Sequence, residues 1–138
     1  MANQQNKTWL LAVLILNIVI TSIHYTDNAI FVRQYPEPEW ITTSGIFLTW
    51  IVMTLIGIIG YWLYSKQNYW LSYLLLSAYA GTGLSSSAHY FYGELSQFSI
   101  KMHAFIWMDI IAGLLVAAFL TRSFLIDREW RSNQEIEG

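Results

Sequence analysis

Apolar residues are gathered in four long blocks, and short polar stretches separate these blocks along the chain. The blocks cover residues 9–32, 43–64, 69–92 and 100–121. Each block is close to the roughly 20 residues that a helix needs to cross about 30 Å of hydrocarbon. The pattern therefore predicts four transmembrane helices.

The connections between the blocks are short and contain residues that stop helices. The first connection contains Pro36 and Pro38, and the third opens with Gly93, which suits the position just after a helix end. Short connections make consecutive helices antiparallel neighbours. We expect an all-α, up-and-down four-helix bundle, in which residues 1–122 form one transmembrane domain and residues 123–138 form a polar tail.

Composition supports a membrane location. The 138 residues are 55% hydrophobic and only 12% charged, whereas soluble domains carry about 25% charged residues. The seven lysines and arginines stand singly, so the chain lacks the basic patch that binds nucleic acid. The absence of cysteine excludes disulfides, iron–sulfur clusters and a cysteine nucleophile. We expect an integral, multi-pass membrane protein that is embedded in the lipid bilayer.

Basic residues are unequally divided between the two ends of the predicted bundle. Five flank the end that holds the termini and two flank the opposite end: Lys7, Lys66, Arg122, Arg128 and Arg131 against Arg33 and Lys101. Positively charged flanks remain in the cytoplasm. The distribution therefore predicts that both termini, and the polar tail, are cytoplasmic.

Polar residues inside the predicted helices are the first candidates for function, because their burial in hydrocarbon is costly. On the first helix they recur at spacings of four, three and four, which aligns them on one face: Asn17, Thr21, His24 and Asn28. Asp27 lies beside this face. The first helix thus carries a polar stripe that ends in a histidine and a carboxylate.

The other two histidines lie at a similar predicted depth. His89 follows near the end of the third helix, and His103 begins the fourth helix, with Asp109 deeper. Segments 22–25 and 87–90 also share the pattern S-x-H-Y, which places His24 and His89 at matched depth. We expect a pocket lined by histidine and aspartate in the outer half of the membrane.

Imidazole and carboxylate groups are ligands of zinc, copper and iron, and three protein ligands leave one position for water or substrate. We therefore interpret His24, His89 and His103 as a metal site, with Asp27 orienting or completing it and Asp109 as a second acid or base. Such a site suits either metal binding alone or a membrane metalloenzyme. Haem held between His24 and His89 is a further alternative.

Two other interpretations need no metal. Aromatic and convergent polar residues are typical of a pocket for a lipophilic molecule of sterol, quinone or carotenoid type, with His24 and Asp27 as acid and base. The candidate ligand-binding residues are Tyr25, Asn28, Tyr90 and Trp107. Alternatively the chain is a structural subunit, which packs against copies of itself or against a partner in a membrane complex.

Overall fold

The computed structural model describes residues 4–133, and over this range the regular elements are all helices. Four long helices form the fold: α1 (Gln4–Ile30), α2 (Thr43–Ser65), α3 (Tyr69–Ser85) and α4 (Ile100–Thr121). They make a closed ring, because α1 and α3 each pack against both α2 and α4. The predicted all-α fold with four helices is confirmed.

Shorter helical segments occupy the connections and the end of the described chain. Four are 3-10 helices and one is a π-helix: Val32–Gln34, Ser86–Phe91, Leu95–Gln97, Glu129–Asn133 and the π-helical Arg122–Ile126. The first connection, residues 31–42, and the third connection, residues 86–99, lie at the same end of the bundle. We call this the connection end, and the opposite one the termini end.

Three helical stretches are long and apolar enough to cross a membrane, namely Gln4–Ile30, Thr43–Ser65 and Ile100–Ile126. The helix α3 has only 17 residues, because the backbone changes to a 3-10 helix at Ser86. The sequence predicts one continuous helix over residues 69–92, so the third predicted span is corrected to this shorter helix and its extension.

Serine and threonine hydroxyls give a physical reason for the early end of α3. Ser85 Oγ donates to the carbonyl of Thr82 at 2.7 Å, and Ser87 Oγ donates to the carbonyl of Leu84 at 2.9 Å. Hydroxyls that bond back to the preceding turn compete with the regular helical pattern and bend it. Hydropathy does not register this effect, since these small residues do not interrupt the apolar block.

Side-chain caps fix the starts of α2 and α4. Thr42 Oγ1 accepts from the amide of Gly45 at 3.2 Å, and Ser99 Oγ accepts from the amide of Met102 at 3.3 Å. These acceptors satisfy amides that the first helical turn leaves unpaired. Both helices agree within one residue with the predicted bounds, whereas α1 begins and ends earlier than the predicted 9–32.

The segment after α4 packs back onto the termini end. Glu129 is buried, and its carboxylate accepts from Tyr64 OH, from Ser123 Oγ at 2.6 Å and from Asn6 Nδ2 at 3.1 Å. The Trp130 ring stacks on Phe124 with centroids 5.9 Å apart. These donors hold Glu129 against the bundle, while Leu125, Ile126 and Arg128 are exposed. Residues 134–138 lie outside the described range.

Candidate functional site

A cavity of about 340 Å³ lies at the connection end of the bundle. Its walls come from α1, the first connection, the start of α2 and the 3-10 segment after α3: His24, Tyr25, Asn28, Glu37, Trp40, Ile41, Thr42, Gly45, Ile46, Thr49, Ser85, Ser86 and His89. This volume is within the roughly 300–1,000 Å³ of small-molecule sites. Most of the wall is apolar, and its polar groups are concentrated around two histidines.

The first histidine is held by a carboxylate from α4. His24 is 2% exposed and Asp109 is fully buried, and His24 Nδ1 lies 2.7 Å from Asp109 Oδ2. Ser86 Oγ donates to the same carboxylate oxygen at 2.9 Å. An ionised carboxylate only accepts hydrogen bonds, so we assign the imidazole proton to Nδ1. This leaves Nε2 of a neutral His24 as an acceptor.

The second histidine is paired with a carboxylate from the first connection. His89 Nδ1 lies 2.7 Å from Glu37 Oε1, and the Glu37 side chain is 3% exposed. Asn28 Nδ2 donates to Glu37 Oε1 at 2.9 Å. The His89–Glu37 pair is close enough for an ion pair, although the ring nitrogen is not aligned for a hydrogen bond. Each cavity histidine therefore has its own carboxylate.

The two pairs are neighbours. The ring centroids of His24 and His89 are 5.5 Å apart, and the Tyr35 ring lies 6.5 Å from the first and 5.9 Å from the second. Phe105 stacks on His24 with a centroid separation of 5.9 Å. The imidazoles are thus fixed between aromatic rings.

Besides His89 Nδ1, four buried polar atoms of this cluster have no hydrogen-bond partner within residues 4–133: His24 Nε2, Asn28 Oδ1, Glu37 Oε2 and Asp109 Oδ1. Buried polar groups in folded proteins are almost always hydrogen-bonded. Three of these atoms are oxygen acceptors, and the fourth accepts in the tautomer assigned above. The cluster therefore suits a ligand, water or cation that supplies positive or hydrogen-bond-donating groups.

Asp27, expected beside His24, lies outside the cavity wall. Its carboxylate accepts from Tyr35 OH at 2.8 Å and pairs with Lys101 Nζ at 2.7 Å. Burial is the larger cause and the hydrogen bond to Asp27 the second of a pKa of the Tyr35 hydroxyl well above its ordinary value. The position next to the His24 imidazole that the sequence suggests for Asp27 is occupied by Asp109.

His103 is also separate from the other two histidines. Its Nδ1 lies 2.8 Å from Tyr90 OH, and its ring packs 5.8 Å from that of Phe98. Trp107 is 56% exposed on the outside of α4. Across the part of the chain that the structure covers, no group of three or more His, Asp or Glu side chains is placed to hold one metal ion. The predicted ligand set is thus not assembled, whereas Tyr25 and Asn28 do line the cavity.

Sequence reasoning misses Glu37 and Ser86. Glu37 is in a polar connection, where a carboxylate is normally solvated, and Ser86 is one of three consecutive serines. The available signal for Glu37 is its place between Pro36 and Pro38, since two prolines restrict the backbone and fix the direction of the side chain.

Comparison of the chain with protein-family models, with curated proteins and with solved structures gives no match. The geometry of the cavity and of its two histidine–carboxylate pairs is therefore the basis for assigning a function.

Proposed function

We propose that this chain is an integral membrane protein, with both termini in the cytoplasm, that binds a lipophilic small molecule in the cavity and exchanges a proton with it through His24. The membrane location is supported by three helices of spanning length among the described residues and by the large apolar residues on their outer faces, such as Ile15, Leu48 and Ile111. Soluble monomers rarely expose apolar surface so extensively. The excess of basic residues at the termini end supports the orientation.

The observation that carries the proposal is the state of His24. Its ring is almost fully buried, Nδ1 is bound to Asp109, and Nε2 has no partner among the described residues, although the ring lines a cavity. A carboxylate on Nδ1 fixes the tautomer and stabilises the imidazolium that forms when Nε2 takes a proton. A hydroxyl of the bound molecule donates a hydrogen bond to Nε2. The phenolic hydroxyl of a quinol can pass its proton to Nε2 and leave a phenolate beside the imidazolium, whereas an aliphatic alcohol donates the hydrogen bond and keeps its proton.

Cavity composition indicates what kind of molecule fits. Trp40, Ile41 and Ile46 supply apolar wall, and the imidazole and carboxylate groups of His24, His89 and Glu37 lie close together. Such a division favours a mainly apolar body with one donating group. Sterols, quinols and carotenoid alcohols each combine an apolar body with a hydroxyl group that donates.

A metal ion is the second candidate, because of one specific feature. Both cavity imidazoles have a carboxylate at Nδ1, which is how histidines that bind a metal through Nε2 are oriented. His24 and His89 would then be two ligands of zinc, copper or iron, with water completing the site, and His103 would not take part. The 5.5 Å separation of the two rings does not favour haem, since a porphyrin would need more space between them.

The experiment that separates these candidates uses matched histidine variants. Wild type, His24→Gln, His89→Gln and His103→Gln are purified in mild detergent without a histidine tag or chelator. Mass spectrometry of the organic extract identifies bound lipophile, and elemental mass spectrometry gives metal per chain.

We expect a lipophile in wild type and in His103→Gln, lost by roughly tenfold or more in His24→Gln, with metal well below one per chain. Near-stoichiometric metal that disappears in both His24→Gln and His89→Gln would replace this proposal with the metal site. If all four proteins carry the same bound molecules, neither site is correct, and the structural-subunit interpretation becomes the better one.

A further inference from the structure

Some residues that line the cavity are also exposed at the surface, and they show where the cavity opens. Gly45 and Thr49 on α2 and Ser85 at the end of α3 are exposed, as are Trp40 and Thr42 in the first connection, whereas His24 and Ser86 are buried. Thr49 is six residues after the start of α2, about 9 Å along the helix. The opening therefore extends from the connection end down the seam between α2 and α3.

Farther along the same seam, α2 and α3 are in close contact. A Cβ on Gly60 would lie 2.8 Å from Leu76 Cγ, and one on Gly57 would lie 3.1 Å from the Tyr79 ring. Ser72 Oγ donates to the carbonyl of Gly60 at 2.8 Å. The seam is thus closed toward the termini end, and the opening is limited to the turns that line the cavity.

The surface around the opening is apolar. Leu48 and Val52 flank Thr49 on α2, and Leu84 precedes Ser85 on α3, with exposures of 62%, 43% and 36% respectively. In a bilayer such a surface faces acyl chains, since apolar residues at this depth contact lipid at no cost. A molecule that leaves the cavity beside Thr49, in the part of the opening that lies along the seam, would enter hydrocarbon before it meets water.

We infer that the cavity takes its ligand sideways from the bilayer, between α2 and the end of α3, and that this ligand is an amphiphilic alcohol whose hydroxyl lies at His24 while its apolar part extends through the opening. This inference rests on the proposed function for the identity of the polar group. The path itself depends only on the positions of Gly45, Thr49 and Ser85.

Chain neighbours on α2 provide a matched pair for the test. Thr49 lines the cavity and Leu48 does not, yet both are exposed at the same depth. The variants Thr49→Trp and Leu48→Trp therefore place the same large side chain inside and outside the opening. His24→Gln is included as a variant that leaves the opening unchanged.

The probes are two photoactivatable molecules in phosphatidylcholine vesicles: a long-chain alcohol with a diazirine in its chain, and the corresponding alkane without the hydroxyl. After irradiation of the reconstituted full-length protein, peptide mass spectrometry measures adducts on the cavity segments. Circular dichroism checks that each variant retains its helix content.

We expect the alcohol to label the cavity segments in wild type and Leu48→Trp, and labelling to fall roughly tenfold in Thr49→Trp. Equal labelling in Thr49→Trp and Leu48→Trp overturns the lateral path. If the alcohol and the alkane label the cavity equally, and His24→Gln changes nothing, the hydroxyl at His24 is wrong, whatever the path. The two failures are therefore distinguishable.

Discussion

Gly83 of α3 and Gly113 of α4 lie directly against each other. A Cβ on Gly83 would be 3.0 Å from Gly113 Cα and 2.7 Å from the carbonyl oxygen of Asp109, and one on Gly113 would be 2.8 Å from the carbonyl oxygen of Ala80. All of these neighbours are backbone atoms, which cannot rotate away. The close approach therefore fixes the height of Asp109 relative to the cavity.

Substitution of this glycine pair should lower stability. We expect Gly113→Ala or Gly83→Ala to reduce the free energy of unfolding by about 1–3 kcal/mol, because the added methyl group forces α3 and α4 apart. Gly81→Ala is the control, since among the described residues a Cβ there meets nothing within 4 Å. Thermal unfolding followed by circular dichroism in detergent measures all three. Similar midpoints for Gly113→Ala and Gly81→Ala would contradict the close approach.

The two aspartates named from sequence should differ in importance. Asp109→Asn replaces the buried carboxylate that His24 and Ser86 share by a neutral amide, so we expect a loss of about 1–3 kcal/mol in unfolding free energy. Asp27→Asn weakens a pair with the part-exposed Lys101, for which roughly 1 kcal/mol or less is expected. Nitrogen NMR of labelled histidine should also show the proton leave His24 Nδ1 in Asp109→Asn only. Equal effects of the two substitutions would contradict the assigned pairing.

Glu37 and Glu39 provide a matched test in the first connection. Glu37→Ala removes the partner of His89 and Asn28, and we expect a destabilisation of about 1–3 kcal/mol. Glu39 is exposed, and its replacement by alanine should change stability by no more than about 0.5 kcal/mol. Both are measured by thermal unfolding at neutral pH. A connection that does not pack on the bundle would give the same small value for both.

The Tyr35 hydroxyl should affect stability only in alkali. Burial and the bond to Asp27 raise its pKa in the folded protein above the ordinary 10.0. A raised folded-state pKa gives a contribution that is complete below the unfolded pKa and decreases as the pH rises above it. The wild-type advantage over Tyr35→Phe should thus be constant up to about pH 10 and fall beyond it. Unfolding measured from about pH 8 to about pH 11 checks this, and a difference that is independent of pH would contradict it.

Helix positions could be predicted because each long apolar block between polar connections is a signal that can be read directly along the sequence. The predicted 100–121 matches α4, and Thr42 and Ser99 are recognisable helix caps. The end of α3 could not be predicted from that signal. The 3-10 winding begins among the consecutive serines Ser85 to Ser87, and these small residues do not interrupt the apolar block.

The candidate site shows a similar division. The sequence predicts a similar depth for His24 and His89 from the shared S-x-H-Y pattern. In the structure their rings are 5.5 Å apart. Which carboxylate pairs with each histidine could not be predicted in this way, because the pairing depends on the rotation of each helix about its axis and on the path of a connection. Sequence proximity favours Asp27 for His24, yet the neighbour in space is Asp109, 85 residues away.

The 3-10 segment after α3 has a consequence for the geometry of the site. Three residues complete a turn of such a helix, so Ser86 and His89 project from one side, and both line the cavity. In a continuing α-helix the same separation would turn His89 by about 60° and shorten the rise between the two residues. The 3-10 winding therefore lets Ser86 bond to Asp109 while His89, three residues later, approaches Glu37. A ligand that rewinds these six residues would alter both histidine–carboxylate pairs in one movement.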